Sequence, residues 1–156
     1  MLARAFALTT ECTFAAPVSV LWDKLVNVVA YPQWWPSVSR VVLHGEDRYL
    51  KQNSKATFYI RGFLPYTLTF SVQVTAAVSC SSLEVVVSGG LAGTGSLILK
   101  ETAEKTLVSF HWNVDLTTPL LHSLSSVPLV HAIFSANHRY ATKKAIRKIK
   151  LEVEHA

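Results

Sequence analysis

The sequence predicts an α+β fold in which a curved antiparallel sheet of about seven strands wraps around one long C-terminal helix. Two observations lead to this prediction. Apolar and polar residues alternate with a period of two over most of residues 55–116, which indicates strands with one buried and one wet face. From about residue 120 the apolar residues recur at helical spacing instead. A sheet with one apolar face needs a cover, and the long helix is the only predicted element large enough to provide it.

The first quarter of the chain contains a strand, a helical stretch and a second strand. Residues 3–15 alternate as a strand, which we prefer to the alternative of a weak signal peptide. Pro17 suits the first turn of a helix, and apolar residues then follow at helical spacing as far as Val28. The stretch YPQWWPSV, residues 31–38, ends this helix because its prolines exclude both an ordinary strand and a continuous helix. We therefore expect two short helices before the second strand, residues 38–44.

Five further strands follow at regular intervals. They are predicted at residues 55–62, 66–75, 82–88, 95–101 and 106–116. The last one places Val108, Phe110, Trp112 and Val114 on its inward face and Ser109, His111, Asn113 and Asp115 on its outward face. Side chains of a strand alternate between the two faces of its sheet, so the first set is expected to meet the long helix.

The long C-terminal helix is amphipathic. Its predicted inward face consists of Val127, Val130, His131, Phe134, His138, Ala141, Ala145 and Ile149, and its outward face carries Arg139, Lys143, Arg147 and Lys150. Pro128 either kinks this helix or marks its start, because proline lacks the N–H that a helix interior requires.

Composition limits the class of protein. The chain has 156 residues, of which 50% are hydrophobic and 16% charged, so we expect one ordered domain over residues 1–156. No apolar run approaches the roughly 18–20 residues of a membrane span. Cys12 and Cys80 form no CxxC motif, and their expected state is that of buried free thiols in a reducing cytoplasm.

The net charge of +5 is concentrated at the C-terminus. Residues 1–120 carry nine Lys and Arg against eight Asp and Glu, whereas residues 121–156 carry six against two. One interpretation is a solvated helix face, and the other is an anionic partner such as a membrane surface met transiently. Nucleic acid is not expected, because Tyr140 is the only aromatic residue near these cations. The oligomeric state is left open.

Three segments carry a resemblance to a known superfamily. They are APVSVLWDKLVNVVAYPQWWPSVSRV (residues 16–41), FHWNVDLTTPLL (110–121) and FSANHRYATKKAIRKIK (134–150). Their order and spacing resemble the START/Bet v 1-like (SRPBCC) superfamily, in its polyketide cyclase/dehydrase and lipid-transport branch. The resemblance implies a helix-grip fold, with a cavity between sheet and C-terminal helix for a lipid, a sterol or a polyketide-like aromatic compound. It equally allows a cyclase or dehydratase in the same cavity.

The predicted hairpin tips differ between the two ends of the sheet. At one end they are polar, whereas at the other they carry no charge and comprise residues 62–65, 89–93 and 116–121. Trp34 and Trp35 belong to the uncharged end. Clustered apolar tips are unusual, because loops normally face water. We interpret them as the mouth of a ligand cavity, and the alternative is that the two tryptophans plug the end of the core.

The expected ligand-binding residues are those on the inward faces of the strands and the long helix and at the uncharged end of the sheet. They are Trp34, Trp35 and Phe63 at the mouth, Phe58, Phe70, Phe110, Trp112 and Phe134 on the walls, and His131 and His138 on the helix. The two histidines are candidates for orienting a ligand or, in an enzyme, for acid–base catalysis. The alternative for each is a helix histidine with one hydrogen-bond partner. Their spacing of seven residues does not suit a metal pair, and no cofactor motif is present, so neither metal nor cofactor is expected.

Overall fold

The computed structural model describes residues 6–61, 67–117 and 128–154. For Phe6, Leu116, Ala141 and residues 128–138 it describes the backbone alone.

The sheet has seven antiparallel strands in the order β1-β7-β6-β5-β4-β3-β2, curled into a half-barrel. The strands are β1 (Phe6–Phe14), β2 (Val38–Leu43), β3 (Lys55–Ile60), β4 (Leu68–Val78), β5 (Ser82–Gly89), β6 (Leu91–Thr102) and β7 (Lys105–Leu116). The predicted strands are therefore confirmed with small shifts at their ends. The largest extension is in β6, which begins four residues before the predicted position.

Register places the predicted inward residues on one face. Phe58 of β3 lies opposite Phe70 of β4, and Phe110 of β7 lies opposite Leu97 of β6. One outward residue departs from the expected pattern: Ser109 is only 8% exposed. It lies between Glu11 on β1 and Ile98 on β6, and these longer neighbours cover its small side chain.

The helical segments are α1 (Val18–Val26), a 3₁₀ turn (Val28–Ala30), α2 (Tyr31–Trp34) and α3 (Pro128–Glu154). No continuous helix runs through the YPQWWP stretch, as expected, but α2 makes a single turn at its start. Pro32 lies in the first turn of α2, where its missing N–H costs no intrahelical hydrogen bond. Pro36 follows after α2 has ended.

Polar contacts among the described residues hold α1 against β6, α3 and the β2–β3 loop. The side chain of Glu101, near the end of β6, accepts a hydrogen bond of 2.8 Å from the N–H of Val18, which satisfies a free donor at the start of α1. Lys24 forms an ion pair with Glu152 of α3. The N–H of Leu50, in the β2–β3 loop, donates to the carbonyl of Val26 at 2.9 Å. The segment after β1 is thus fixed to β6, to α3 and to a loop.

The helix α3 begins at Pro128. Of the two alternatives for this proline, a kink within the helix or its start, the structure shows the start. Ala145 and Ile149 are buried as predicted, and Arg139, Lys143, Arg147 and Lys150 are exposed. The helix packs against β1 and α2. Val127 lies outside the described residues. Within the described ranges, no helix is both long enough and apolar enough to cross a membrane.

The two cysteines are free, as expected, but each is half-buried rather than fully buried. Cys80 lies in the short turn between β4 and β5, with a positive φ of 60°. Burial raises the pKa of the Cys12 thiol, whereas the positive charge of Lys150 on α3 acts in the opposite direction. Cys12 is therefore protonated at neutral pH and is a poor nucleophile.

Gly93 offers a test of the close packing between β6 and β7. It has a φ of +150°, and a Cβ added there would lie 2.0 Å from the carbonyl oxygen of Asn113. We expect Gly93→Ala to lower the free energy of unfolding by about 2–4 kcal/mol, because the backbone of one strand must move. Gly45→Ala is the matched control, since Gly45 also has a positive φ but nothing lies within 4 Å of its added Cβ. Urea denaturation of both variants measures the difference, and equal losses would contradict this account.

Candidate functional site

A cavity of about 100 Å³ lies between the inner face of the sheet and the segment that runs from α1 to α2. The sheet contributes side chains from β2 to β7, and the opposite wall comes from α1, the 3₁₀ turn and α2, with Leu50 from the β2–β3 loop. The described lining residues are Leu25, Val28, Tyr31, Trp35, Val38, Leu50, Phe58, Ile60, Phe70, Val72, Leu83, Val85, Gly95, Ser96, Leu97, Phe110 and Trp112. None of these side chains is charged at neutral pH.

Aromatic rings form one continuous part of this lining. Phe58 and Phe70 are cross-strand partners whose rings stack 5.4 Å apart at an angle of 8°. Trp112 meets Phe70 edge-on at 6.3 Å, and Tyr31 meets Phe58 edge-on at 6.0 Å. Stacked and edge-to-face pairs at these separations are favourable geometries for aromatic side chains. The rings therefore support one another and leave an ordered surface on the cavity side.

Trp112 lies over Gly95 of the neighbouring strand. The two residues are directly opposite in the β6–β7 register, and a Cβ at Gly95 would lie 3.2 Å from the Trp112 ring. The same Cβ would be 3.1 Å from Val85 on β5. The missing side chain of Gly95 thus gives the indole space to lie against the sheet.

Tyr31 closes the cavity from the side of α2. Its hydroxyl donates a hydrogen bond of 2.5 Å to the carbonyl of Leu25. Burial raises the pKa of Tyr31 well above its ordinary value near 10, so the phenol stays neutral at physiological pH. Because its proton is already donated to the carbonyl of Leu25, the phenol oxygen can act towards the cavity only as a weak hydrogen-bond acceptor.

Trp34 and Trp35 take different positions. Trp34 is 1% exposed and does not line the cavity, so it packs in the core as the plug interpretation proposed. Trp35 is half-buried and lines the cavity, where its ring stacks on Tyr31 at 6.0 Å and lies 5.6 Å from the ring of Trp34. The Nε1 atoms of both tryptophans are buried and find no acceptor among the residues that the structure describes.

The backbone of Trp35 is fixed on both sides. Its N–H donates to the carbonyl of Tyr31 at 2.7 Å, and its carbonyl accepts from the N–H of Val38 at 3.0 Å. Its φ of −112° and ψ of 97° are extended, as the following Pro36 requires. Trp35 therefore presents its ring from a rigid turn.

The structure brings five of the ten predicted site residues together around the cavity: Trp35, Phe58, Phe70, Phe110 and Trp112. Trp34 lies behind them, and Phe63 is outside the described residues. His131, Phe134 and His138 are on α3, but their side chains are outside the described part. That any of these residues binds a ligand remains a prediction.

Sequence reasoning missed the contribution of the segment opposite the sheet. Tyr31 and Leu50 both line the cavity, although neither was on the predicted list. A signal was present for Leu50, because it is the only aliphatic residue in the otherwise polar stretch HGEDRYLKQNS, residues 44–54. The predicted wall was the C-terminal helix. The side chains of its residues 128–138 lie outside the described part, and farther along the helix Ile146 and Ile149 pack over β1 and β7.

The fold can be compared with known proteins. No family model matches the chain, and no curated protein matches it. Solved structures do match. A START superfamily protein from Mycobacterium smegmatis has a TM-score of 0.72 at 13% identity, with 96% of this chain and 97% of that chain covered.

Two further solved structures show the same fold. The Zhui aromatase/cyclase from Streptomyces sp. R1128 gives a TM-score of 0.72 at 12% identity, covering 97% of this chain and 94% of that chain. The major latex-like protein 151 from Panax ginseng gives a TM-score of 0.65 at 13% identity, covering 96% of this chain and 97% of that chain. The chain therefore has the helix-grip fold of the START and Bet v 1-like proteins, as the sequence resemblance implied.

Removing the Tyr31 hydroxyl tests how the cavity wall is held. We expect Tyr31→Phe to lower the free energy of unfolding at pH 7 by about 1–3 kcal/mol, because the buried carbonyl of Leu25 loses its donor. The raised pKa of Tyr31 means that its contribution is complete below the unfolded pKa of about 10 and declines as the pH rises above it. The gap between wild type and variant should therefore narrow at pH 10.5. Urea titrations at the two pH values measure this, and a gap that widens would contradict the assignment.

Proposed function

We propose that this protein binds an uncharged, apolar small molecule with an aromatic ring in the cavity between the sheet and the α1–α2 segment. One observation carries the proposal: the described lining combines six aromatic rings with aliphatic side chains and contains no charged group. Small-molecule sites are typically concave and apolar, with few polar anchors. An ionised ligand would lose its hydration in such a place without gaining a partner, so a neutral ligand is favoured.

The size of the cavity narrows the choice among the ligand classes. It measures about 100 Å³, whereas an apolar cavity of about 150 Å³ holds benzene and drug-sized ligands occupy roughly 300–1,000 Å³. The cavity must therefore expand slightly to hold a single-ring aromatic compound. It must expand much more to hold a sterol or a long-chain lipid. Among the classes that the sequence suggested, the geometry favours the aromatic compound.

A catalytic role is the second candidate. One of the structurally similar proteins is an aromatase/cyclase, and this supports a catalytic role. In that case a polyketide-like aromatic compound would be the substrate or product and not a carried ligand. Acid–base chemistry needs titratable groups that converge in the cavity. The described lining supplies only Tyr31, whose proton is already donated to Leu25. The candidates for acid–base catalysis are therefore still His131 and His138, which lie on α3 and whose side chains are outside the described part.

A cavity-filling substitution tests the binding proposal. Val85 lines the cavity, so Val85→Phe should occupy much of the available space and weaken toluene binding at least about tenfold. Val86→Phe is the matched control, because Val86 is the next residue on β5, is 46% exposed and is not part of the lining. It should leave affinity within about twofold of wild type. Calorimetric titration with toluene measures binding, and thermal unfolding checks that overpacking costs no more than the usual 1–3 kcal/mol or so.

The outcomes separate the ligand classes. Loss of toluene binding in Val85→Phe with retention in Val86→Phe supports the proposed site. Equal behaviour of the two variants would place the site elsewhere. Binding of palmitic acid or cholesterol by wild type, without binding of toluene, would contradict the proposed ligand class.

Histidine substitutions separate binding from catalysis. In a binding protein, His131→Gln and His138→Gln should leave ligand affinity within about tenfold, because one lost hydrogen bond is worth roughly 0.5–1.5 kcal/mol net. In an enzyme that uses either residue, turnover of a polyketide substrate should fall on the order of 10²–10⁴-fold. An activity that survives both substitutions would eliminate histidine catalysis.

A further inference from the structure

The helix α3 carries a strong positive charge, whereas the charges of the rest of the described chain are balanced. In residues 6–61 and 67–117 together, eight Lys and Arg stand against eight Asp and Glu. Within Pro128–Glu154 there are six Lys and Arg against two Glu. All six cations are exposed, namely Arg139, Lys143, Lys144, Arg147, Lys148 and Lys150. The net charge of the described protein is therefore concentrated along one helix.

The two acidic residues of α3 are directed towards the protein. Residues 139–151 contain no Asp or Glu, and Glu152 and Glu154 follow this stretch. Glu152 forms its ion pair with Lys24 of α1. The pKa of the Cys12 thiol on β1 is raised by burial and, to a smaller degree, by the nearby charge of the half-buried Glu154. The outward face of residues 139–151 itself thus supplies only positive charge.

Two large, partly apolar side chains lie at the centre of this outward face. The side of α3 that packs on the protein is buried at Thr142, Ala145, Ile149 and Val153. At 3.6 residues per turn, Tyr140 and Leu151 lie on the opposite side, about 20° apart around the axis and roughly 16 Å apart along it. Tyr140 is 51% exposed and Leu151 is 61% exposed. Cations flank the line between them, with Lys143 and Arg147 on one side and Lys144 and Lys148 on the other.

We propose that the outward face of α3 docks on an anionic lipid bilayer, with Tyr140 and Leu151 entering the interface and the flanking cations contacting the charged headgroups. A helix that lies on a membrane presents apolar side chains to the acyl boundary and basic ones to anionic lipids. Lys and Arg can do this beside an apolar residue, because their methylene stems lie along it while the charge stays in the headgroup layer. The nitrogen Nζ of Lys144 already lies 4.6 Å from the centre of the Tyr140 ring. The proposal does not depend on the cavity or its ligand.

The exposed residues of this face fit a bilayer better than a nucleic acid. From Arg139 to Leu151 they are Lys, Arg, Tyr and Leu alone, with no exposed Asn, Gln, Ser or Thr to read base edges. The cations can contact phosphates of either partner, so Leu151 decides between them. A phosphate backbone offers this side chain no apolar layer, whereas a bilayer does.

Lipid vesicles test the docking directly. Co-sedimentation compares the full chain on phosphatidylcholine vesicles with and without phosphatidylserine. We expect binding only to the vesicles that contain phosphatidylserine. Binding should fall strongly as salt rises from about 0.1 M to 1 M, because the screening length falls from about 10 Å to 3 Å. Wild-type protein that binds both kinds of vesicle equally, or neither, would overturn the proposal.

A matched pair of double variants separates this face from net charge. Each cation near an anionic surface is worth about fivefold in affinity, so Lys144→Gln with Arg147→Gln should weaken vesicle binding roughly 25-fold. Lys55→Gln with Lys100→Gln removes the same charge from exposed positions on β3 and β6. This control should stay within about twofold of wild type. Equal losses in the two double variants would show that net charge alone matters and would refute docking through α3.

An apolar substitution tests the insertion of Leu151. Leu151→Gln should weaken vesicle binding about three- to tenfold, because part of one leucine side chain no longer leaves water. Val78→Gln is the control, since Val78 is 58% exposed at the end of β4, and it should leave binding unchanged. Thermal unfolding checks that both variants are folded. Equal binding by wild type and Leu151→Gln contradicts insertion. Binding to a DNA duplex as tightly as to the anionic vesicles, with the same loss in Lys144→Gln with Arg147→Gln, contradicts the choice of a bilayer.

Discussion

The structure depends on a geometric constraint, which is that a curled seven-stranded sheet has a larger apolar face than one helix can cover. The described half of α3 packs over β1 and β7, at one side of the half-barrel. The segment from α1 to α2 faces strands β2 to β7 across a cavity that both of them line. Glu101, Leu50 and Tyr31 hold this segment in place through hydrogen bonds. Among the described residues, the cavity therefore lies where the α1–α2 segment faces the sheet, away from the part that Ile146 and Ile149 cover.

The two adjacent tryptophans of YPQWWP occupy different environments. Trp34 fills the core at the end of α2, where it is almost completely buried. Trp35 follows the end of that helical turn, adopts an extended backbone and directs its ring to the cavity lining. The change from helix to extended backbone between consecutive residues is what sends the two side chains to different places. The burial of Trp34 agrees with the plug interpretation, and Trp35 lines the cavity, whereas the mouth of a ligand cavity at this end of the sheet stays a prediction.

Much of the fold could be predicted from local patterns. Alternation with a period of two identified every strand except β2, and helical spacing identified α3, because both patterns report which face of a single element is buried. The positions of Phe58, Phe70, Phe110 and Trp112 followed from the same reasoning. Tyr31 and Leu50 could not be placed in this way, because they reach the cavity through contacts between segments distant in sequence. The burial of Ser109 likewise depends on its neighbours on two other strands.

The contact between Gly95 and Trp112 links two positions that lie opposite each other on neighbouring strands. A side chain at position 95 would meet the indole at position 112 at 3.2 Å, so the two residues compete for one volume. In evolutionary terms the pair should covary: a relative with a small residue at 112 is free to carry a large one at 95, and the reverse combination is equally allowed. Such an exchange would move the bulk from one strand to the next and reshape the cavity floor without altering the fold. This pair of positions therefore provides a route by which the shape of the cavity can change while the rest of the core is conserved.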